Sequence, residues 1–333
     1  MTTFAPGFSS TTRRVSMASS GSLAATRSPM TARKQLRLGL VGFGEVGSTL
    51  GQGLRDEGLV EIAAYDKYAF DGPFRDLIQS RAASAGVPLV RSPEELAKRS
   101  ELILGVTPGQ ASIESAKAFA PHVTAAHIFV DLASATPRVK QSAERALRAS
   151  GASIADASIM GTPHADGHCL PILASGPAAA RFRALMAPWG LKIEQVEGEL
   201  GAASGIKILR SVIAKGLEAL LVECLLGARR YGIDEAVLGS FATFMDSRSF
   251  AEMANFLLVT DVIHAERRSD EARMSVAALE DAGVDAIMTR ATAKRLEWVA
   301  GLGTKAHLGG VVPTHYTQAL ETIEALLKQP PPR

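Results

Sequence analysis

Cysteine is scarce in this sequence of 333 residues, and neither sign of charge predominates. There are two cysteines, Cys169 and Cys224, and 36 basic against 34 acidic side chains give a net charge of +2. Two distant cysteines do not indicate a disulfide framework, which favours a reducing compartment such as the cytoplasm. Balanced charge predicts no attraction to nucleic acid. A membrane-spanning helix needs about 20 predominantly apolar residues in a row, and no stretch of the sequence approaches that length. These absences favour a globular protein that binds neither nucleic acid nor membrane.

Acidic residues are missing from the first 34 positions, which are rich in Ser, Thr and Ala and contain four arginines. This composition is similar to that of an organelle transit peptide. We favour a simpler interpretation, a disordered extension from an upstream start codon, because Met17 and Met30 could also begin the chain. In either case the segment 1–34 has no apolar periodicity and is not expected to join a core.

The rest of the chain is long enough for two domains. In its first part, predicted strands occupy 36–41, 60–65, 89–90, 102–106 and 127–130, with further candidates at 152–159, 170–174 and 191–196. The predicted helices between them are 45–55, 73–85, 92–98, 111–119 and 137–150. Because strands that alternate with helices form parallel sheets, this order predicts an α/β fold with a doubly wound Rossmann-type sheet.

The pattern changes near residue 199. Helices are predicted at 201–231, 249–266, 270–281, 284–301 and 315–328. We therefore expect a dinucleotide-binding domain at 35–198 and an all-helical substrate and dimerisation domain at 199–330. The first of these helices is more apolar than one small domain can cover, which favours a homodimer.

A glycine-rich loop lies between the first predicted strand and the first predicted helix, and its residues are Gly42, Phe43, Gly44, Glu45, Val46 and Gly47. In such loops Gly42 would permit the tight turn, Gly44 would let the backbone approach a pyrophosphate, and Gly47 would let the helix pack closely on the strand. The free N–H groups at the start of the helix would then receive the phosphates. The loop in this setting predicts a site for a nicotinamide dinucleotide.

Asp66 follows the second predicted strand, 24 positions after Gly42. A carboxylate there can accept hydrogen bonds from the adenosine ribose and would repel a 2′-phosphate, which favours NAD over NADP. Lys67 comes next and would have the opposite effect, so NADP stays an alternative.

Two further loops are expected at the carboxyl edge of the sheet. Thr107 and Pro108 follow the strand at 102–106, and Ala133 and Ser134 follow the next strand. Ligands of open α/β sheets bind at this edge, so the nicotinamide should lie near Thr107 and Ser134. Ordinary strand-to-helix turns are the alternative.

Four segments, in order along the chain, resemble the β-hydroxyacid dehydrogenase and 6-phosphogluconate dehydrogenase superfamily. They are GFGEVG at 42–47, VDLASATP at 130–137, DASIMG at 156–161 and GAASGIK at 201–207. The resemblance covers about 36–230. The C-terminal part resembles the branch of this superfamily whose C-terminal domain has no known function.

The resemblance implies hydride transfer between a nicotinamide and a hydroxyl- or oxo-bearing acid, with Lys207 as the general acid/base. The position of Lys207 inside an apolar helix suits that role, because burial lowers the pKa of a lysine toward neutrality. The alternative is a lysine that reaches solvent or forms a structural ion pair.

The expected substrate pocket departs from the family pattern. Met160, followed by Gly161, stands where the family has the serine of Ser-Gly-Gly, and Ser211 stands where it has Asn, one helical turn after Lys207. Residues four apart share a helix face, so Ser211 can still face the cleft that Ser158, Met160 and Gly161 would line. The pocket is predicted to be less polar than the family's, which argues against a simple small 3-hydroxy acid.

His264 and Arg268 are four apart on a predicted helix. They could bind a substrate anion or carry a proton, and the alternative is a solvated, salt-bridged helix face. His164, His168 and Cys169 lie in one loop, but their spacing fits no zinc signature and no metal site is predicted.

Two other functions remain open. An imine reductase shares this architecture but typically departs from the lysine, so Lys207 argues against it. A nicotinamide-binding sensor without turnover would keep the glycine loop and leave Lys207 dispensable.

Overall fold

The computed structural model describes residues 36–328. The predicted extension at 1–34, and residues 35 and 329–330 of the two predicted domains, lie outside the described residues. Within 36–328, none of the helices is both long enough and apolar enough to cross a membrane.

Eight strands form one sheet in the order β3-β2-β1-β4-β5-β6-β7-β8. They are β1 Leu38–Val41, β2 Ile62–Tyr65, β3 Leu89–Val90, β4 Leu102–Gly105, β5 Ile128–Asp131, β6 Ser153–Ile159, β7 Pro171–Ser175 and β8 Lys192–Gln195. Strands β1 to β6 are all parallel, which confirms the doubly wound Rossmann-type sheet. Every predicted strand is present, with ends that differ by at most two residues.

The helices in this part of the described chain are α1 Glu45–Asp56, α2 Arg75–Ala85, α3 Pro93–Arg99, α4 Ser112–Phe119, α5 Pro137–Leu147, α6 Pro163–Asp166 and α7 Ala179–Met186. They cover both faces of the sheet, because Leu40 of β1 belongs to one buried cluster and the next residue, Val41, to the other. Adjacent strand residues point to opposite faces, so each strand contributes to two cores. The sequence pattern did not predict α7, whose Phe182 and Met186 are fully buried.

Strand β7 departs from the parallel arrangement, since it runs antiparallel to β6. The two strands are joined by residues 160–170, which contain only the four-residue helix α6. A parallel pair needs a crossover of about a dozen residues or more, so this shorter connection reverses the chain. Strand β8 follows after α7 and is parallel to β7.

The helical part consists of α8 Ala202–Arg230, α9 Asp234–Asp246, α10 Phe250–Asp281, α11 Ile287–Gly301, α12 Thr304–His307 and α13 Tyr316–Leu327. The order of a Rossmann-type region followed by an all-helical region is therefore confirmed. Helix α9 was not predicted, and none of its residues is buried, although Leu238, Phe241 and Phe244 are apolar. Helix α10 is continuous where two helices were expected, since 267–269 contain neither proline nor glycine to interrupt it.

Helix α8 is anchored at both ends and uncovered between them. Near its C-terminal end, Glu223 accepts hydrogen bonds of 2.8 Å from the backbone N–H groups of Met288 and Thr289, in the first turn of α11. In its first half, Leu209 is 67 % exposed and Val212 is 66 % exposed. The apolar residues that favoured a homodimer thus lie on an open surface of this chain.

Candidate active site

The glycine loop joins β1 to α1, and its three glycines stand in three different settings. Gly42 has φ +92°, a backbone conformation that favours glycine. A Cβ on Gly47 would stand 2.3 Å from the Gly42 carbonyl oxygen, so only glycine allows α1 to pack this closely on the loop. A Cβ on Gly44 would meet no atom within 4 Å. Gly44 therefore faces open space, where a pyrophosphate has room to approach.

Asp66 holds the loop from the end of β2. Its carboxylate accepts hydrogen bonds from the backbone N–H of Phe43 at 2.8 Å and of Tyr68 at 2.9 Å. The Phe43 side chain is completely buried in the core, so this residue serves the loop only through its backbone. Each carboxylate oxygen has a further lone pair, and Asp66 can still accept from a ribose hydroxyl.

Lys67, the residue that favoured NADP, already has partners. Its Nζ lies 3.7 Å from Glu114 Oε1 and 5.1 Å from the centre of the Tyr68 ring. The negative charge of Glu114 is the main reason that the pKa of Lys67 is raised above its ordinary value. These contacts hold the ammonium toward α4.

A cleft of about 590 Å³ opens beside the glycine loop. Of the residues predicted to bind the cofactor, it is lined by Gly42, Gly44, Glu45, Val46, Asp66, Thr107 and Pro108. Ser115 also lines the cleft, and its hydroxyl is buried without a hydrogen-bond partner. An open cradle at Gly44, a carboxylate at the end of β2 and an unpaired hydroxyl fit the adenosine and pyrophosphate of a dinucleotide.

The two loops at the carboxyl edge of the sheet touch each other. A Cβ on Gly109 would stand 1.9 Å from the Ser134 carbonyl oxygen, so the loop after β4 packs on the loop after β5 only because this residue is glycine. Gly109 was not among the predicted site residues, although its place just after Thr107 and Pro108 was the signal. Ala133 is buried, whereas Ser134 is exposed at the edge.

Lys207 reaches this edge from α8. Its Nζ donates a hydrogen bond of 3.1 Å to Ser134 Oγ, a residue 73 positions earlier. Burial is the largest cause that lowers the pKa of Lys207 below its ordinary value, and the charges of Lys140 and Arg210 lower it further. The structure thus brings together Lys207 and Ser134, two residues that were selected from separate motifs.

A buried group of charges beneath this edge was missed. Lys140 of α5 is 1 % exposed, and its Nζ lies 3.0 Å from Asp131 Oδ1 and 3.4 Å from Asp156 Oδ1. Asp131 is the last residue of β5 and Asp156 lies within β6. Both aspartates belong to motifs of the family resemblance. The signal for Lys140 was its place on the buried face of α5, which Ala143 and Leu147 also occupy.

The first turn of α8 is held by two side chains of the sheet. Asp156 accepts hydrogen bonds from Ser204 N at 2.8 Å and from Ser204 Oγ at 2.5 Å, and Ser175 Oγ accepts one from Ala203 N at 3.0 Å. Side-chain acceptors at this position satisfy N–H groups that the helix leaves unpaired. They also fix the turn that comes directly before Lys207.

Of the predicted substrate residues, Ser158 lies in β6, Met160 and Gly161 follow directly after β6, and Ser211 lies on α8. Ser158 is buried, with its Oγ 3.4 Å from Ser204 Oγ. Met160 continues the pairing of β6 with β7 through its backbone N–H, which donates to Pro171 O at 2.7 Å. At Gly161 a Cβ would collide with the Asp166 carboxylate. Ser211 donates to the Lys207 carbonyl oxygen at 2.9 Å, one turn along α8.

His264 and Arg268 lie apart from these residues, on α10. Arg268 donates to Thr260 Oγ1 at 2.7 Å and to Leu257 O at 3.3 Å, both in its own helix. Among the described residues, no hydrogen bond or ion pair joins either side chain to Lys207 or to the sheet. Their role in substrate binding stays a prediction.

Two family models match the chain. The NAD-binding domain of 6-phosphogluconate dehydrogenase matches residues 37–192, and a domain of unknown function (DUF1932) matches residues 228–299. Together they account for about two thirds of the sequence. Residues 37–192 thus match an NAD-binding domain of the 6-phosphogluconate dehydrogenase type, and a DUF1932 segment follows it. The DUF1932 match confirms the C-terminal domain of unknown function that the family resemblance predicted.

Two curated proteins resemble the chain over about two thirds of its length or more. An uncharacterized 28.5 kDa protein of Methanothermus fervidus is 25 % identical over 71 % of this chain and 88 % of its own. The mitochondrial 3-hydroxyisobutyrate dehydrogenase of Drosophila melanogaster is 24 % identical over 66 % of this chain, and the alignment spans 62 % of the fly enzyme.

Solved structures share the fold of the chain. A conserved protein of unknown function, described as structurally similar to 3-hydroxyacid dehydrogenases, is 29 % identical, with a TM-score of 0.56 over 83 % of this chain and all of its own. A variant imine reductase of Myxococcus stipitatus in complex with NAD+ is 18 % identical, with a TM-score of 0.65 over 87 % of this chain and all of its own. The chain therefore shares its fold with these structures, and its matched N-terminal domain is of an NAD-binding type.

Proposed function

We propose that the protein transfers a hydride between a nicotinamide cofactor and a hydroxyl- or oxo-bearing acid, with Lys207 as the general acid/base. The observation that carries the proposal is the 3.1 Å hydrogen bond from Lys207 Nζ to Ser134 Oγ. It brings a half-buried amine to the carboxyl edge of the sheet, where ligands of this fold bind. When bound, the cofactor supplies the hydride donor or acceptor. The likeness to 3-hydroxyisobutyrate dehydrogenase supports this class of reaction.

The role of Lys207 is to move one proton at the substrate oxygen. The neutral amine accepts the proton of the substrate hydroxyl when the alcohol is oxidised, and the ammonium returns it when the carbonyl is reduced. Burial and the neighbouring charges lower the pKa of Lys207, which raises the fraction of neutral amine near neutral pH. Ser134 accepts a hydrogen bond from Lys207 and so limits where Nζ can stand.

The proposed substrate pocket lies beside the first two turns of α8. Ser158, Met160, Gly161 and Ser211 form its walls, and Met160 makes it less polar than a pocket with Ser-Gly-Gly. We assign it an anionic substrate that is larger or less polar than a simple 3-hydroxy acid. The anionic charge rests on His264 and Arg268, whose side chains do not contact Lys207 within this chain.

NAD is the proposed cofactor. Asp66 lies at the end of β2, where the adenosine ribose is expected, and its charge disfavours a 2′-phosphate. Lys67, a neighbouring cation that could offset this effect, is paired with Glu114. We therefore expect NADH to bind at least about tenfold more tightly than NADPH, or about 1.4 kcal/mol. Calorimetric titration of the purified protein with each cofactor measures this ratio, and equal affinities would contradict the assignment.

A homodimer completes the proposal. The uncovered surface of α8 includes Leu209, Val212 and Ile213, and apolar surface of this extent usually marks an interface. Most oligomers are symmetric assemblies of one chain, so we assign a second copy of this chain as the partner of the surface.

An imine reductase is the second candidate, favoured by the likeness of the fold to that of the Myxococcus stipitatus enzyme. The two functions differ in the atom that Lys207 would serve, a carbonyl oxygen or an imine nitrogen. A panel of oxo acids, hydroxy acids and cyclic imines, each offered with NADH or NADPH, separates them. Turnover of imines alone would exchange the first proposal for the second, and tight cofactor binding without any turnover would indicate a sensor.

The role of Lys207 is tested with Lys207→Met on the best substrate of that panel. Loss of a general acid/base lowers kcat by about 10²- to 10⁴-fold, while the affinity for the cofactor should change less than about twofold. In the wild type, the rate of alcohol oxidation should rise with pH through a pKa below the about 10.4 of an ordinary lysine. This rise of the oxidation rate with pH should be absent in Lys207→Met. Lys215→Met, an exposed position two turns further along α8, is the matched control.

Full activity in Lys207→Met would refute the assigned mechanism. Loss of activity in Lys215→Met to the same extent would show that the effect comes from the helix and not from the amine.

A further inference from the structure

The buried charges beneath the active-site edge have no part in the proton transfer described above. They include one cation, Lys140, and two carboxylates, Asp131 and Asp156, all almost completely buried. Two carboxylates in one apolar setting repel each other and are costly to ionise without a cation between them. Apolar side chains in the same space would often be as stable, so stability alone does not explain the cluster.

We propose that Lys140 is a positioning residue for the reaction: its ammonium joins the ends of β5 and β6 and thereby fixes the first turn of α8, and with it Lys207, relative to Ser134. The role named here depends on the proposed function, because it presumes that Lys207 acts at this edge. The contacts of Lys140 with Asp131 and Asp156 are observed whatever the function is.

The link runs through the cluster from one loop to the next. On one side, Asp131 accepts hydrogen bonds from Ser112 Oγ at 2.5 Å and from Ala133 N at 2.9 Å, so it holds the start of α4 and the loop that carries Ser134. On the other side, Asp156 holds Ser204 in the first turn of α8. Lys140 is the group that contacts both carboxylates, and it also donates to the Asp131 carbonyl oxygen at 2.8 Å.

Lys140 also acts on Lys207 through its charge. The charged groups that affect the amine are Lys140 from α5 and Arg210 from α8 itself, and both lower the pKa of Lys207 in addition to the effect of burial. Ser134, which accepts its hydrogen bond, is neutral. Removal of the Lys140 charge should therefore raise the pKa of Lys207, whereas a merely structural lysine would leave it unchanged.

The test uses the full-length protein and needs no substrate. Lys140→Met keeps the length of the side chain and removes its charge, and Lys140→Arg keeps the charge. Lys207 is labelled with acetic anhydride over a range of pH and its modification is counted by mass spectrometry, with the exposed Lys215 as internal reference. We expect Lys207 in Lys140→Met to react about two- to threefold more slowly than in the wild type at pH 8, because loss of the neighbouring positive charge raises the pKa of Lys207. Lys140→Arg should keep the wild-type profile.

Hydrogen–deuterium exchange measures the positioning itself. In Lys140→Met the peptides that cover 202–210 and 132–136 should exchange faster than in the wild type, because both are held through the cluster. A folded Lys140→Met with wild-type labelling of Lys207 and wild-type exchange in both peptides would overturn the proposal. So would faster exchange confined to α5.

If Lys140→Met does not fold, Asp156→Asn tests the other end of the link with a side chain of the same shape. The proposal then expects faster exchange at 202–210, and unchanged exchange would overturn it. Failure of the proposed function has a different outcome: the panel of substrates shows no turnover, while the labelling and exchange results stand as measured.

Discussion

Gly47→Ala adds one methyl group at the tightest point of the glycine loop. A Cβ there would stand 2.3 Å from the Gly42 carbonyl oxygen, and Cβ atoms essentially never approach another atom closer than 3.0 Å. Either α1 or the loop must therefore move by about 0.7 Å, and because the obstacle is backbone, no side-chain rotation relieves it. Overpacking of this kind costs about 1–3 kcal/mol. For a domain of about 160 residues, the length of the sheet region, that lowers Tm by about 2–12 °C.

Gly44→Ala is the matched control in the same loop. Its Cβ would meet no protein atom within 4 Å, so the Tm of the cofactor-free protein should change by less than about 2 °C. The methyl group would nevertheless stand where the pyrophosphate approaches the backbone. We expect NADH to bind about tenfold or more weakly, a loss of about 1.4 kcal/mol or more. Gly47→Ala should lower both Tm and affinity, whereas Gly44→Ala should lower affinity alone.

Two measurements separate these effects. Thermal unfolding of each variant without cofactor gives Tm, and calorimetric titration with NADH gives the dissociation constant. If Gly44→Ala bound NADH as tightly as the wild type, the loop would not cradle the pyrophosphate. If Gly47→Ala unfolded at the wild-type temperature, the close packing of α1 on the loop would not hold the structure as described.

Two further predictions concern α8. Glu223→Gln should lower the free energy of unfolding by about 1–2 kcal/mol at neutral pH, because the charged carboxylate is stabilised in the folded protein. Burial alone would raise the pKa of Glu223. Hydrogen bonds from Thr289 and from the backbone outweigh the effect of burial and hold the pKa below its usual value. That stabilisation is present above the unfolded pKa of about 4.3 and is lost as the pH falls through the folded pKa, so denaturant titrations of wild type and variant should converge in acid; a gap that persists there would contradict the assignment. Leu209→Glu should shift the protein from dimer to monomer in sedimentation velocity with Tm nearly unchanged for the separated chain, and an unaltered dimer would place the interface elsewhere.

The sequence was informative where one local rule decides the structure. Short apolar runs next to glycine or a polar turn predicted the central strands β1, β4 and β5, because a strand buried on both faces has to be apolar throughout. The glycine loop and Lys207 were recognisable for a similar reason, since regularly spaced glycines between a strand and a helix, and a lysine within an apolar helix, are both uncommon in purely structural segments. In contrast, α9 was overlooked although Val237, Phe241 and Phe244 recur at helical spacing, and none of its residues is buried in this chain.

Other features depend on what the chain does far away in sequence. The contact of Lys207 with Ser134 joins two motifs that are 73 residues apart, and it exists only because β5, β6 and the start of α8 meet. Lys140 was overlooked because a lysine on an amphipathic helix normally faces solvent, and only the two carboxylates opposite it account for its burial. The reversal of β7 followed from the length of a connection, which a pattern of apolar residues does not encode.

The length of α8 has a mechanical consequence. Lys207 and Glu223 are 16 residues apart, which is about 24 Å along a helix. Because Glu223 is hydrogen-bonded to the first turn of α11, one end of this helix is tied to the C-terminal helices, and Lys207 lies near the other end. A tilt of about 5° about the Glu223 end would displace Lys207 by about 2 Å over this span, enough to break its contact with Ser134. Under the proposed function, a ligand that shifted the α11 end of the helix would therefore change the rate of proton transfer at the sheet edge.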